Sequence, residues 1–112
     1  MNLERLNTFA TYKEGWNGYG AAPIINDVLA RMKGLILTLS VQPEIFPLAS
    51  GEIQFEYEKK NGEYLQFKLL ADGEIEIFRM DELDNTDLEI MSEVNIDRIN
   101  KVVNTFYGIK DV

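Results

Sequence analysis

Residues 52–80 alternate between apolar and polar side chains, a pattern typical of strands that bury one face. The apolar positions are Ile53, Phe55, Tyr57, Leu65, Phe67, Leu69, Ile75 and Ile77. Most of the positions between them carry glutamate, glutamine or lysine. The pattern predicts three consecutive antiparallel strands that form a β-meander with one apolar face and one polar face.

The glycines between these runs indicate how the strands pair. A three-residue loop that ends at Gly62 places Phe55 opposite Phe67, whereas a two-residue loop would place Phe55 opposite Lys68. A three-residue loop that ends at Gly73 likewise sets apolar residues opposite each other. Because a slip of one residue turns every side chain of a strand to the other face, the agreement of both loops favours this register.

Helical periodicity predicts two helices before the meander. The first covers residues 2 to about 14, with Asn2 as its N-cap. The second covers residues 26 to about 40, with Asn26 as its N-cap. A glycine inside the second helix, Gly34, is unfavourable by about 1 kcal/mol relative to alanine and suggests close packing against another element.

Three further segments surround the meander. Residues 41–50 contain two prolines and are predicted to be a connector. Leu88 and Ile90 alternate with acidic residues, which leaves open a short fourth strand or an acidic loop. Residues 96–107 have helical periodicity, with Asn95 as the predicted N-cap. No internal repeat is apparent in the sequence.

These elements predict a single α+β domain over residues 1–112. An antiparallel three- to four-stranded β-meander is packed on one face by two or three helices, in the order α-α-β-β-β-(β)-α. A chain of 112 residues is long enough to fold around one core without disulfides or a bound metal.

The composition narrows the classes of function. The chain has no histidine and no cysteine, so it lacks the commonest general base, the commonest metal ligand and any thiolate. We therefore predict no catalytic residues, no metal site and no cofactor. The formal net charge of −8 repels phosphate backbones, so no direct nucleic-acid binding is expected. The same charge favours a partner with a basic surface.

The chain also lacks a recognisable membrane or export signal. The first five residues do not form a basic segment followed by an apolar run, so no signal peptide is expected. The longest apolar-rich segment, residues 28–41, contains Arg31 and Lys33 and is too short to span a bilayer. We therefore predict a cytoplasmic protein without membrane contact.

Carboxylates are the only abundant candidates for acid–base chemistry. Glu56, Glu58, Glu74 and Glu76 share the polar face of the predicted meander, where separations like those of glycosidases are geometrically possible. The simpler interpretation is a solvated face that keeps one side of the sheet wet. The aspartates that follow the meander lack the spacing and the glycine of an EF-hand.

The polar face also carries an apolar cluster. In the predicted register Tyr64 lies opposite Met80, with Phe78 diagonal to the pair. An exposed aromatic–methionine cluster among glutamates is typical of a protein-interaction surface. Alternatively, residues 81–94 or a second copy of the chain in a homodimer cover the cluster.

The least regular stretch of the chain is Gly15-Trp16-Asn17-Gly18-Tyr19-Gly20-Ala21-Ala22-Pro23-Ile24. One interpretation is an ordered loop that inserts Trp16 and Tyr19 against the meander, with Trp16 largely buried. The other is a recognition loop in which Trp16, Asn17 and Tyr19 bind a small ligand. Since no strand precedes the glycines and no Gly-Lys-Ser/Thr follows them, they do not form a phosphate-binding loop.

This stretch resembles a Trp-Asp/Asn-Gly-Tyr-Gly-Ala-x-Pro-Ile box found in small bacterial proteins of uncharacterised function. In that family the box precedes a helix, a proline-containing link and a Gly-x-Ile-x-aromatic-x-aromatic strand, which corresponds here to Gly51–Tyr57. The resemblance covers residues 15–58, and Tyr57 stands where family members often have tryptophan. It implies a bacterial or phage origin and supplies no activity.

The sequence as a whole predicts a non-enzymatic, acidic protein-binding module of bacterial or phage origin, such as an antitoxin, an immunity protein or an inhibitor of a defence nuclease. The predicted partner-binding residues are Glu56, Glu58, Tyr64, Glu74, Glu76, Phe78 and Met80. The alternative is a small-ligand-binding domain with its pocket at Trp16, Asn17 and Tyr19. A carboxylate-dependent enzyme is a third hypothesis.

Overall fold

The structure, a computed structural model, describes residues 2–109. The elements in chain order are α1 (Asn2–Phe9), α2 (Asn26–Thr38), β1 (Glu44–Pro47), β2 (Ile53–Glu58), β3 (Tyr64–Leu69), β4 (Ile75–Met80), β5 (Thr86–Met91) and α3 (Ile96–Tyr107). The strands form one antiparallel sheet in the order β1-β2-β3-β4-β5. The predicted α+β fold with a meander is confirmed, and the sheet has one strand more than the longest predicted meander.

The pairing register of the central strands is the predicted one. Phe55 pairs with Phe67, and Phe67 pairs with Ile77. The rings of Phe55 and Phe67 stack with their centroids 4.6 Å apart. In all four strand pairs odd-numbered residues meet odd-numbered residues, from Ile45 opposite Phe55 to Ile75 opposite Met91. Odd-numbered residues of the sheet therefore face the helices, and even-numbered residues face away.

All four hairpins close with the same three-residue loop. The third loop residue has a positive φ in each case, with Gly51 at 88°, Gly62 at 92°, Gly73 at 95° and Asp84 at 64°. Its N–H donates to the carbonyl of the residue before the loop, as in Gly62 N to Lys59 O at 3.1 Å. This geometry is a type I turn followed by a left-handed residue, and it recurs every 11 residues.

The sheet is therefore built from an 11-residue unit, and the expectation of no internal repeat was wrong. Because 11 is odd, equivalent positions of successive strands lie on opposite faces, so the side-chain pattern recurs only after 22 residues. At that spacing the sequence similarity is plain, since residues 48–53 are LASGEI and residues 70–75 are LADGEI. An analysis of adjacent strands misses the repeat because their apolar positions are out of phase.

The predicted connector over residues 41–50 contains strand β1. Ile45 is fully buried and lies opposite Phe55 of β2. The strand has only four residues and ends at Pro47, just after a second proline at Pro43. Prolines are tolerated on edge strands because one side of such a strand has no ladder to maintain. Alternation over so few residues was too weak to distinguish a strand from a connector.

Both N-terminal helices are shorter than predicted. Helix α1 ends at Phe9, where the Thr11 hydroxyl donates to Thr8 O at 2.6 Å and Tyr12 N donates to Phe9 O at 3.1 Å. Such short-range hydrogen bonds compete with helix continuation. Helix α2 ends at Thr38, whose hydroxyl bonds Gly34 O at 2.8 Å in the same way.

The predicted N-caps have different outcomes. Asn95 caps α3 as predicted, with its side-chain oxygen accepting from Arg98 N at 3.0 Å. Asn26 is instead the first helical residue of α2, and Ile25 occupies the cap position without a side-chain hydrogen bond. The Ile25 N–H donates to Gly51 O at 2.9 Å, which joins the start of α2 to the first hairpin loop.

The three helices cover the odd-numbered face of the sheet and form one core with it. The core contains Leu6, Phe9, Val28, Met32, Leu35, Ile36, Ile45, Ile53, Phe55, Leu65, Phe67, Leu69, Ile75, Ile77, Ile99 and Val103. Among residues 2–109, no polar or charged side chain is buried. None of the helices in this part of the chain is long and apolar enough to cross a membrane.

The predicted close packing at Gly34 is wrong. A Cβ atom placed on Gly34 meets nothing within 4 Å, although the residue lies inside α2. The glycine therefore carries an entropic cost in the helix that no contact offsets.

We expect Gly34→Ala to raise the free energy of unfolding by about 0.5–1 kcal/mol, because alanine loses less backbone freedom on folding. Urea unfolding followed by circular dichroism measures the change. Gly73→Ala is the matched control, because its φ of 95° strains any residue with a Cβ atom, and this variant should lose about 1–2 kcal/mol. A destabilised Gly34→Ala variant would show that the position is sterically restricted after all.

Candidate functional site

The even-numbered residues of the sheet form a surface that we call the outer face. Its side chains are half-buried or exposed, whereas those of the opposite face are mostly buried under the helices. The structure places all seven predicted partner-binding residues on this face or at its margin: Glu56, Glu58, Tyr64, Glu74, Glu76, Phe78 and Met80. They are brought together because the hairpin register keeps even-numbered residues on one side.

An apolar cluster occupies one part of the outer face. Tyr64 lies opposite Met80 as predicted, and the rings of Tyr64 and Phe78 meet edge to face with centroids 6.2 Å apart. Strand β5 adds Leu88, which lies opposite Phe78, and Ile90. These two side chains are 60% and 55% exposed. We call these five residues the outer-face cluster.

Strand β5 extends the cluster and does not cover it. The alternative that residues 81–94 cover Tyr64, Phe78 and Met80 is therefore wrong, because β5 lies beside β4 in the same sheet. Leu88 and Ile90 were missed as site residues because the strand itself was uncertain. Their signal was their even number, which a continued hairpin register assigns to the outer face.

The outer side of β5 is an open sheet edge. Asp81 N donates to Asn85 O at 2.9 Å at the base of the last hairpin. Because hydrogen-bonded and non-hydrogen-bonded pairs alternate along an antiparallel ladder, Thr86, Leu88 and Ile90 direct their N–H and C=O groups away from β4. In the part of the chain that the structure describes, no strand pairs with this edge.

The other edge of the sheet, at β1, is protected. Arg5 Nη2 of α1 donates to Ile45 O at 2.7 Å, and Asn2 Nδ2 donates to Pro43 O at 2.8 Å. Asn2 thus uses the side chain predicted to cap α1 to bind the segment leading into β1. Pro43 and Pro47 have no N–H to offer. Natural sheets use such devices to block edge-to-edge pairing, so the contrast with β5 is informative.

Hydrogen bonds hold the polar groups next to the cluster. The Tyr64 hydroxyl donates to a carboxylate oxygen of Glu56 and also lies 2.9 Å from Gln66 Oε1. Burial raises the pKa of Tyr64 above its ordinary value, and the hydrogen bond to Glu56 raises it further. Tyr64 is therefore a neutral donor at physiological pH, with its ring against Phe78.

The remaining carboxylates of the outer face differ in their partners. Glu76 lies opposite Lys68, with the ammonium 3.8 Å from a carboxylate oxygen, as the predicted register required. The pKa of Glu74 is raised, chiefly by a hydrogen bond with the Asp72 side chain and by the charge of that residue. Glu74 and Asp72 thus concentrate negative charge at the β3–β4 turn.

The arrangement offers charge, apolar surface and free backbone groups. Among residues 2–109 no three acidic side chains are grouped closely enough to hold a metal ion. Glu56 and Glu76 are engaged by Tyr64 and Lys68 on an open surface. These are the means by which a protein surface binds another chain.

The loop of residues 15–24 folds back on itself and on α1. The Trp16 ring stacks on Tyr12 with centroids 5.0 Å apart, and its Nε1 donates to Ala22 O at 2.7 Å. Trp16 is half-buried, so the prediction that it is largely buried was wrong. It packs at the end of α1 and not against the meander, because the early end of the helix brings Tyr12 to it.

The other two residues predicted at this loop have separate roles. Tyr19 is 91% exposed, which corrects the prediction that it inserts against the meander. The Asn17 side-chain oxygen accepts from Tyr19 N at 2.8 Å and from Ala21 N at 3.2 Å, so it closes the turn. The three side chains therefore do not converge on a common space.

Four hollows were found at the surface of the described residues, with volumes from about 200 to about 600 Å³. None of them is lined by Trp16, Asn17 or Tyr19. The largest lies between α3 and the sheet, on the opposite side from the outer face.

Comparisons of the chain with models of known protein families, with curated proteins and with solved structures gave no match.

The loop makes unequal demands on its two large aromatic residues. Tyr19→Ala should change the free energy of unfolding by less than about 0.5 kcal/mol, because the side chain is exposed. Trp16→Phe should cost about 1 kcal/mol, because it removes the hydrogen bond to Ala22 and keeps a ring against Tyr12. Urea unfolding followed by circular dichroism compares the two variants. Equal losses would mean that Tyr19 contributes to the fold.

The raised pKa of Tyr64 should make stability sensitive to alkali. The unfolded chain loses this proton near the ordinary tyrosine pKa of about 10, and the folded chain loses it only at higher pH. Its contribution to stability is therefore complete below about pH 10 and is lost above it. Urea unfolding between about pH 8 and pH 11 should show a shallower loss of stability for Tyr64→Phe than for the unmodified protein. Parallel losses would contradict the assignment.

Proposed function

We propose that this protein is a non-enzymatic protein-binding module that receives an extended segment of its partner as an additional strand beside β5. One observation carries the proposal: the exposed apolar side chains and the open backbone groups belong to the same residues, Leu88 and Ile90. Strand addition uses both, since main-chain hydrogen bonds supply affinity and alternate side chains supply specificity.

The charges favour a partner segment that alternates apolar and basic residues. Its apolar side chains would lie on the outer face, beside Leu88 and Ile90. Its basic side chains would lie on the other face near Asp87, whose side chain is 70% exposed. The net charge of −8 would draw such a segment from a distance and would make its association rate depend on salt.

The same charges disfavour the homodimer that the sequence left open. In an antiparallel pairing of β5 with a second copy centred on Asp87, Leu88 or Glu89, acidic residues lie opposite acidic residues. Like charges directly opposite each other destabilise a strand pair. Each copy also carries a charge of −8, which opposes self-association.

An acidic module of this kind fits the roles expected from the sequence. An antitoxin, an immunity protein or an inhibitor of a defence nuclease can each engage a basic protein, and the resemblance of residues 15–58 implies a bacterium or phage as the source. We propose a partner of this class, recognised through a basic strand or a basic terminal segment.

A synthetic peptide of about ten residues with alternating valine and lysine tests the mode of binding. Isothermal titration calorimetry at low salt should detect binding to the unmodified protein. Leu88→Pro should weaken it at least about tenfold, because proline removes an outward N–H and leaves the ladder with β4 intact. Leu88→Ala keeps this N–H and should have a smaller effect.

Leu37→Ala is the matched control, because Leu37 is 64% exposed on α2, away from the edge. It should bind the peptide like the unmodified protein. Binding that survives Leu88→Pro would exclude strand addition, even if the acidic surface attracts the peptide. The absence of any binding at low salt would count against a basic partner altogether.

A further inference from the structure

The groove between α3 and the sheet differs from the rest of the molecule in its charge. Its volume is about 600 Å³, and its lining includes Arg79, Arg98 and Lys101. Three of the eleven lysines and arginines thus line one groove in a protein with a net charge of −8. Leu65, Val102 and Phe106 give the same groove an apolar part.

The fold places these cations deliberately. Arg79 is an odd-numbered residue of β4 and lies opposite the fully buried Leu65, at a position where the alternating pattern calls for an apolar side chain. Arg98 and Lys101 are three residues apart on α3, so they lie on one face of the helix. A strand and a helix therefore direct positive charge to the same space.

Ion pairs orient two of the three cations. Arg79 Nη1 lies 3.3 Å from an Asp87 carboxylate oxygen, and the Arg98 guanidinium pairs with Glu89. Within residues 2–109, Lys101 makes no salt bridge. Both guanidinium groups keep further N–H donors, because each has five. Preorganised donors and one unengaged ammonium are suited to hold an anionic group.

We propose that this groove binds an amphipathic organic anion, a molecule with one carboxylate, sulfonate or phosphate group and an apolar body. The anionic group would lie among Arg79, Arg98 and Lys101, and the apolar body would pack on Val102 and Phe106. The volume is within the range of about 300–1,000 Å³ that is usual for small-molecule sites.

The charge distribution restricts the ligand to low charge. The surrounding acidic surface repels highly charged anions such as nucleotides, whereas a single charge can be met locally by the three cations. This site does not depend on the proposed partner strand, because it opens on the helical side of the sheet.

The dye 8-anilinonaphthalene-1-sulfonate is a suitable probe, because it joins one sulfonate to two aromatic groups. Fluorescence titration of the folded protein should give saturable binding with one site per chain. Lys101→Met should weaken binding about tenfold, as the loss of a charged partner generally does. N-phenyl-1-naphthylamine has the same rings without the sulfonate and should bind at least about tenfold more weakly than the sulfonated dye.

Lys33→Met is the control, because Lys33 is an exposed lysine on α2 and its replacement makes the same change of charge and size. It should leave the affinity unchanged, and thermal melting should show that both variants are folded. Methyl resonances of Leu65 and Val102 should shift when the dye is added.

Three results would overturn the proposal. These are equal affinity for the two dyes, unchanged affinity in both Lys101→Met and Arg98→Gln, and no saturable binding of the sulfonated dye. A loss of affinity in Lys33→Met equal to that in Lys101→Met would likewise show a general charge effect and no defined site.

Discussion

The three-residue hairpin loop is the constraint on which the rest of this structure depends. Because each loop joins two strands with an even sum of paired residue numbers, odd-numbered residues meet only odd-numbered residues from β1 to β5. The helices can then cover one continuous apolar face, with Phe55 stacked on Phe67 near its centre. The glutamates and the outer-face cluster are left on the other side. The separation of core from recognition surface thus follows from loop length and not from any single contact.

The two ends of the sheet differ as sharply as its two faces. Helix α1 and two prolines protect the β1 edge, whereas β5 is held only by β4 and by ion pairs from Arg79 and Arg98. The chain leaves the sheet where a fifth hairpin loop would lie. At the position equivalent to the left-handed residues of the other loops stands Asn95, which has a φ of −119° and caps α3. The sheet stops because the chain turns into a helix there, and the edge stays open.

Much of the fold could be predicted from the sequence, because alternation and turn glycines both report on register. The pairing of Phe55 with Phe67 and of Tyr64 with Met80 followed from these signals alone. Features that depend on the neighbours of a residue could not be predicted. The exposure of Tyr19, the half-burial of Trp16 and the empty space beside Gly34 are set by where α1 ends and how the helices pack. The basic groove was missed because Arg79 and Lys101 come together only in three dimensions.

The odd length of the strand–turn unit limits how this protein can change in length. Surface loops normally accept insertions and deletions, because little packing depends on them. Here the loss of one residue from the loop that ends at Gly62 would turn every later side chain of the sheet to the wrong face. Gain of a single 11-residue unit would do the same, so a sheet of this type can lengthen only by pairs of strands. The near-identity of LASGEI and LADGEI, 22 residues apart, is what growth in such pairs would leave behind.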